Sequence, residues 1–192
     1  MIMILHSGNR LAAQSLVVLV AMAFLVLPNM SCTKPSYNDE SFYGDVAWGI
    51  MTGLADIYNQ NFVGRPAGAV DTTAEGPFGG TVHITGTTSY DQGTGIETVH
   101  LQYDMSNCGI SSTSSSSDLN VDLTLNGMIS EDGSWSGTSS YVSLSYRSDA
   151  LNVNGTSKRG DRQRDVNDAT TFRANRTSSG TSAELFGFNV SW

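Results

Sequence analysis

Three hydrophobic patterns follow one another along the chain. Residues 11–27 are almost continuously apolar, interrupted early by Gln14 and Ser15. Over 38–63 the apolar positions recur every third or fourth residue: Phe42, Val46, Ile50, Leu54 and Ile57, widened by Tyr43, Ala47, Met51 and Tyr58. From residue 81 onward they alternate. Val82 and Ile84 are set against Thr81, His83 and Thr85, and Val99, Leu101, Tyr103 and Met105 against Thr98, His100, Gln102 and Asp104. A period of three to four predicts an amphipathic helix, and a period of two predicts strands with one buried face.

The helix has a start signal. Ser36 or Asn38 can accept from the first free N–H groups, and Asp39 and Glu40 suit the positive end of the helix dipole. Gly44, Gly49 and Gly53 work against it, each by about 1 kcal/mol relative to Ala. Such a helix needs a surface to pack on. The stretch 64–80, with Pro66 and Pro77, reads as a linker.

The β region then runs from 81 to 192. A hairpin is expected across the turn at 91–95. A loop is expected at 107–117, where Asn107-Cys108-Gly109 precedes a serine run. Leu119, Val121, Leu123 and Leu125 form the next strand, and Glu131-Asp132-Gly133-Ser134 reads as a turn on its Asp-Gly pair. Strands follow at 141–146 and 151–154, either separate or as one strand broken at 147–149. A charged loop is expected at 158–168, a short strand near Phe172, and a final strand at 184–192. The fold class is mainly β: one antiparallel domain of about six or seven strands, as a sandwich, a curled sheet or a partial barrel, with one N-terminal amphipathic helix.

The first apolar stretch has a different meaning. Arg10 precedes it, Pro28 ends it, and polar or small residues lead to Cys32. Its uninterrupted part has about the 7–15 residues of a signal-peptide core and falls short of the roughly 20 needed to cross a bilayer. Residues 1–31 are therefore read as an export signal. Leu27-Pro28-Asn29-Met30-Ser31-Cys32 resembles the lipobox of bacterial lipoproteins, with Ser31 as the small residue before the cysteine. That resemblance implies cleavage before Cys32 and acylation of its thiol. It also implies an outer-membrane destination, because Thr33 is not the aspartate that retains such proteins in the inner membrane. Residues 32–37 would then be a lipid-anchored tether. Multiple acyl chains hold a protein to a membrane without any spanning segment, each buried CH₂ contributing about 0.8 kcal/mol.

Charge narrows the partners. The formal net charge is −8, so the chain repels nucleic acid and anionic lipid surfaces, and no nucleic-acid partner is expected. The membrane, through the anchor, is the one partner the sequence suggests. The cysteines are Cys32 and Cys108. If Cys32 carries lipid, Cys108 is unpaired in an oxidising compartment and must be buried to stay unreacted; otherwise a Cys32–Cys108 disulfide is open to the chain.

Chemistry is sparse. His83 and His100 share the polar face of the first hairpin and are weak metal candidates. One register sets them directly opposite, whereas its neighbour pairs Thr85 with His100. There is no nucleophile elbow and no phosphate-cradling loop, so no enzyme and no cofactor are expected. The acidic pairs at 131–132 and 165–168 lack the spacing of a calcium loop. Lys158, Arg159, Arg162 and Arg164 form a basic cluster diluted by Asp161 and Asp165, and Arg159-Gly160-Asp161 and two Asn-x-Thr triplets are chance-level motifs.

The leading expectation is an exported, lipid-anchored envelope protein with a binding or structural role. Two rivals remain open. Phe186, Phe188, Val190 and Trp192 alternate with polar or small residues and resemble the terminal insertion signal of outer-membrane β-barrels. A lipocalin-like carrier would instead enclose an apolar cavity.

Overall fold

The structure, a computed structural model, describes residues 37–137 and 139–192. The expected signal peptide, Cys32 and most of the tether lie outside the described residues. The fold is mainly β, as the alternation predicts. Helix α1 (Asp39–Phe62) is followed by β1 (Gly68–Glu75), β2 (Thr81–Asp91), β3 (Ile96–Ser114), β4 (Leu119–Ser136), β5 (Val142–Arg159), β6 (Arg162–Thr177), β7 (Gly180–Leu185) and β8 (Phe188–Ser191). Every strand pairs antiparallel with its neighbours in sequence, giving one meander sheet with β1 and β8 at its edges.

The sheet curls around the helix. On the concave side α1 meets β3, β4, β5, β7 and β8. Between Asp45 and Tyr58 only Trp48, Thr52, Ala55 and Asp56 keep appreciable exposure, so the helix shows water a single narrow stripe. Val46, Ile50, Leu54 and Ile57 join Leu101, Leu125, Leu151, Phe172 and Leu185 in one core. Burying each such side chain contributes about 1.5–3 kcal/mol, which outweighs the poor helix propensity of the glycines. Asn38 is the cap, its Oδ1 accepting from the Ser41 N–H at 2.9 Å.

The helix glycines have a packing reason that the propensity argument misses. A Cβ on Gly49 would lie 2.5 Å from Val121 Cγ1, and one on Gly53 would lie 2.6 Å from Ile110 Cγ2. These positions let α1 seat directly on β4 and β3. On Gly44 the new Cβ would meet Val190 at an ordinary 3.4 Å.

Several sequence expectations need correction. The expected linker at 64–80 contains β1. There Val70, Thr72 and Ala74 alternate half-buried with exposed neighbours, a pattern too small in side chain to stand out between Pro66 and Pro77. The expected loop at 107–117 is mostly strand. β3 passes through a bulge between Met105 and Cys108 and runs on to Ser114, with the inward phase moving from Tyr103 and Met105 to Cys108 and Ile110. The expected turn at Glu131-Asp132-Gly133-Ser134 lies inside β4. Gly133 has φ 144°, and a Cβ there would lie 2.0 Å from the Ser143 carbonyl oxygen, so the glycine bends the strand instead of reversing it.

The expected charged loop at 158–168 is a hairpin. Arg159 pairs with Arg162 around Gly160-Asp161, with Gly160 at φ 59°. The strands proposed at 141–146 and 151–154 are one strand, β5, whose register shifts between Ser148 and Leu151. The final strand expected at 184–192 is also a hairpin. Phe186 sits at φ 52° in the turn between β7 and β8, and the rings of Phe186 and Phe188 pack 4.9 Å from Tyr43 of α1. Phe186 and Phe188 therefore face the helix, while Trp192 stays exposed at the edge of the sheet.

The convex face is predominantly polar, with Ala69 and Met128 as apolar exceptions. One register row runs Ala69, Thr87, His100, Asp132, Ser145, Asn175, Ser182 and Ser191. The next runs Asp71, Thr85, Gln102, Ser130, Arg147, Arg173, Glu184 and Asn189.

Candidate functional site

At the C-terminal end of α1 the curl leaves a cleft of about 420 Å³ between the helix and β3–β6. Glu131 lies at its floor. On β4 the inward positions are the odd ones: Leu119, Val121, Leu123, Leu125, Gly127, Ile129, Glu131, Gly133 and Trp135. A carboxylate thus occupies a place in the core-facing row, and it is only 4 % exposed. Register puts Leu101 on one side of it and Tyr146 on the other.

Two phenols satisfy that carboxylate. Tyr103 donates to Oε2 at 2.5 Å and Tyr146 donates to Oε1 at 2.9 Å. Each oxygen is met by one hydroxyl, but neither donor carries charge. Among the described residues no cation pairs with Glu131. Burial consequently raises its pKa, opposed by the two tyrosine hydrogen bonds. Burial first, and the carboxylate beside them second, raise the phenol pKa values of Tyr103 and Tyr146, so both remain donors across the physiological range.

A second carboxyl and phenol stand nearer the mouth. Tyr58 of α1 donates to Glu97 of β3. Burial, then that hydrogen bond, pushes the Tyr58 pKa upward, and Glu131 is close enough to add to the effect. The Tyr58 ring meets Trp135 edge to face, 5.1 Å between centroids at 87°. Tyr141 and Arg176 complete the rim. Arg176 makes no ion pair among the described residues. The arrangement combines a desolvated carboxylate, aromatic walls at right angles and an unpaired guanidinium at the entrance.

The opposite end of α1 handles a buried carboxylate in another way. Asp45, 3 % exposed, accepts Arg159 Nε–H on Oδ2 at 3.0 Å, with Arg159 Nη2 on Oδ1. Tyr37 donates to Asp45 at 2.8 Å, its hydroxyl also lies 2.7 Å from Ser157 Oγ, and burial raises its pKa to about 12. Arg164 pairs with Asp39 at 2.7 Å and lies 4.2 Å over the Phe42 ring. The basic cluster at 158–164 therefore clasps the start of the helix. A second cleft of about 510 Å³ opens beside it.

The residues singled out by sequence fare differently. His83 and His100 are not brought together. The observed register sets His83 opposite Asp104 and His100 opposite Thr87, four positions from a direct pairing. Each instead contacts an aspartate at 2.8 Å, His83 with Asp71 and His100 with Asp132, on the exposed face. Cys108 is buried and unpaired among the described residues, with burial raising its thiol to about 11. Glu131, Tyr103 and Tyr146 were not anticipated as a site. The available signal was the unbroken odd-numbered alternation of β4, in which Glu131 is the charged exception. Compared with protein-family models, curated proteins and solved structures, the chain matches none.

Proposed function

We propose that this chain is an exported, lipid-anchored envelope protein with a non-catalytic role, binding a small ligand in the cleft above Glu131. The observation that carries the reading is the division of the sheet into two faces. The convex face is predominantly Ser, Thr, Asn and charged residues, with Ala69 and Met128 as scattered apolar exceptions, and the concave face is covered by α1. A lipid-facing band needs apolar residues outward, so a polar convex face argues against the barrel rival. A carrier of apolar ligands needs a hollow interior, and here the helix occupies that volume. A body of this kind stays at a membrane through an anchor, which is the part Cys32 would play.

Cys108 supports the same reading. In an oxidising compartment an unpaired thiol survives when it is buried and protonated, as Cys108 is. The test is the intact mass of the mature protein from the membrane fraction, alongside a Cys32→Ser variant. The expected result is a chain starting at Cys32 with added acyl mass, and release of the variant from membranes. An unacylated chain two hydrogens light, with Cys32 joined to Cys108, would overturn the anchor.

A further inference from the structure

We infer that the cleft at the C-terminal end of α1 is a site for a small zwitterionic ammonium compound, its cationic head above Glu131 and its anionic group at Arg176. The inference rests on the binding role proposed above and gives that site its ligand class. Its first support is a charge imbalance within one cavity of about 420 Å³. Glu131 is a buried carboxylate held by phenols alone. Glu97 at the wall is likewise held by a phenol, that of Tyr58. Neither has a cationic partner among the described residues, whereas Asp45, equally buried at the far end of the same helix, has Arg159. An isolated buried carboxylate is costly unless paired, so a bound cation would relieve a penalty the fold carries at this place.

The second support is the wall chemistry. Tyr58 and Trp135 line the cleft in edge-to-face contact with each other, Tyr58 backed by Phe62, and Tyr146 and Tyr141 line it as well. Aromatic rings attract cations through their quadrupole, and a lining of four aromatic side chains beside a carboxylate suits an alkylated ammonium that cannot use many hydrogen bonds. A purely cationic ligand would leave Arg176 unanswered and would be repelled by it. A carboxylate at the other end of the ligand meets that guanidinium, with Ser139 and Ser140 beside it as hydroxyl donors. The ligand is thus matched at both ends, and charge order within the cleft fixes which end enters first.

Calorimetric titration of the mature protein with γ-butyrobetaine, choline and butyrate tests this. Trp135 supplies a second readout by fluorescence, since Trp48 and Trp192 line the other cleft. The betaine is expected to bind at least tenfold more tightly than choline or butyrate. Glu131→Gln, which removes the charge while keeping an acceptor for one phenol and an N–H donor toward the other, and Arg176→Ala should each abolish that tenfold advantage, with melting temperature and far-ultraviolet circular dichroism confirming the fold. Choline or butyrate binding as well as the betaine would overturn the zwitterion assignment while leaving a binding cleft in place. Absence of betaine binding at millimolar concentration, or binding unaffected by both substitutions, would overturn the assignment outright. The acylation state of Cys32 is read independently and is untouched by either result.

Discussion

The two ends of α1 bury one carboxylate each and treat it in opposite ways. At the N-terminal end Asp45 is neutralised by Arg159, with Tyr37 as an additional donor. At the C-terminal end Glu131 receives two phenols and no cation. The first arrangement closes on itself: the charge of the helix is answered by the β5–β6 hairpin, and the contact ties two elements together. The second is satisfied in hydrogen bonds and unanswered in charge. At one end a cation ties the helix to the β5–β6 hairpin; at the other a carboxylate held by phenols alone lines a cleft.

The largest effect should come from undoing the fastened end. Arg159→Met leaves Asp45 buried without its cation and is expected to cost about 3 kcal/mol, near the low end for a broken buried pair because the guanidinium is 44 % exposed and partly screened. Chemical denaturation measures it directly; a loss below about 1 kcal/mol would mean the Asp45 site is as wet as a surface pair.

Next come the phenols. Tyr103→Phe removes a 2.5 Å donor from a buried carboxylate and should cost about 2 kcal/mol. Tyr37→Phe should cost about 1 kcal/mol or less, since Asp45 retains Arg159. Equal losses from the two substitutions would erase the contrast between the ends.

The helix glycines sharpen it further. Gly53→Ala gains about 1 kcal/mol of helix propensity but drives a Cβ to 2.6 Å from Ile110, an overpacking worth about 1–3 kcal/mol, so a net loss is expected. Gly44→Ala, with Val190 at 3.4 Å, should stabilise by up to about 1 kcal/mol. Paired thermal melts decide the sign at each position.

The smallest effect is a slope. Glu131 has a raised pKa in the folded state, so between its unfolded value of about 4.3 and that raised value the folded chain holds a proton the unfolded chain has lost. Stability from this group is full below the unfolded value and falls as pH rises through the folded one. Glu131→Gln removes that decline. The variant should therefore gain on the native protein as pH rises through this window, and show a pH-independent difference below it. A constant difference across the window would mean Glu131 ionises as freely in the folded state as in the unfolded one.

Much of this fold was readable in the hydrophobic pattern. The helix bounds and the first hairpin follow from periodicity, because there each apolar residue is large and the phase is unbroken, whereas the choice of Asn38 over Ser36 as cap came from the structure. The readings failed where phase or size failed. Bulges at 105–108 and 148–151 shift the inward row by one residue, and a shifted row looks like a loop. β1 and the Lys158–Val166 part of the sheet carry small or charged side chains on both faces, so alternation is faint. The site was hidden for another reason. Asp132-Gly133 carries a strong turn signal, which drew Glu131 out of a strand that in fact continues through it. The hydrogen bonds of Glu131 with Tyr103 and Tyr146 depend on strand register, which no local pattern specifies.

The meander also sets an order of assembly. Neighbouring strands meet through short turns, so the sheet can zip up locally as the chain is made. The helix cannot share in this. It is made before every described strand, yet besides resting on β3 and β4 it is seated at its N-terminal half by Val190 and Phe188 of β8, the last described strand to be made. Three glycines keep it a poor helix in isolation. The first element made is thus among the last to be fully seated, and truncating β8 should loosen the N-terminal half of the helix more than its C-terminal half.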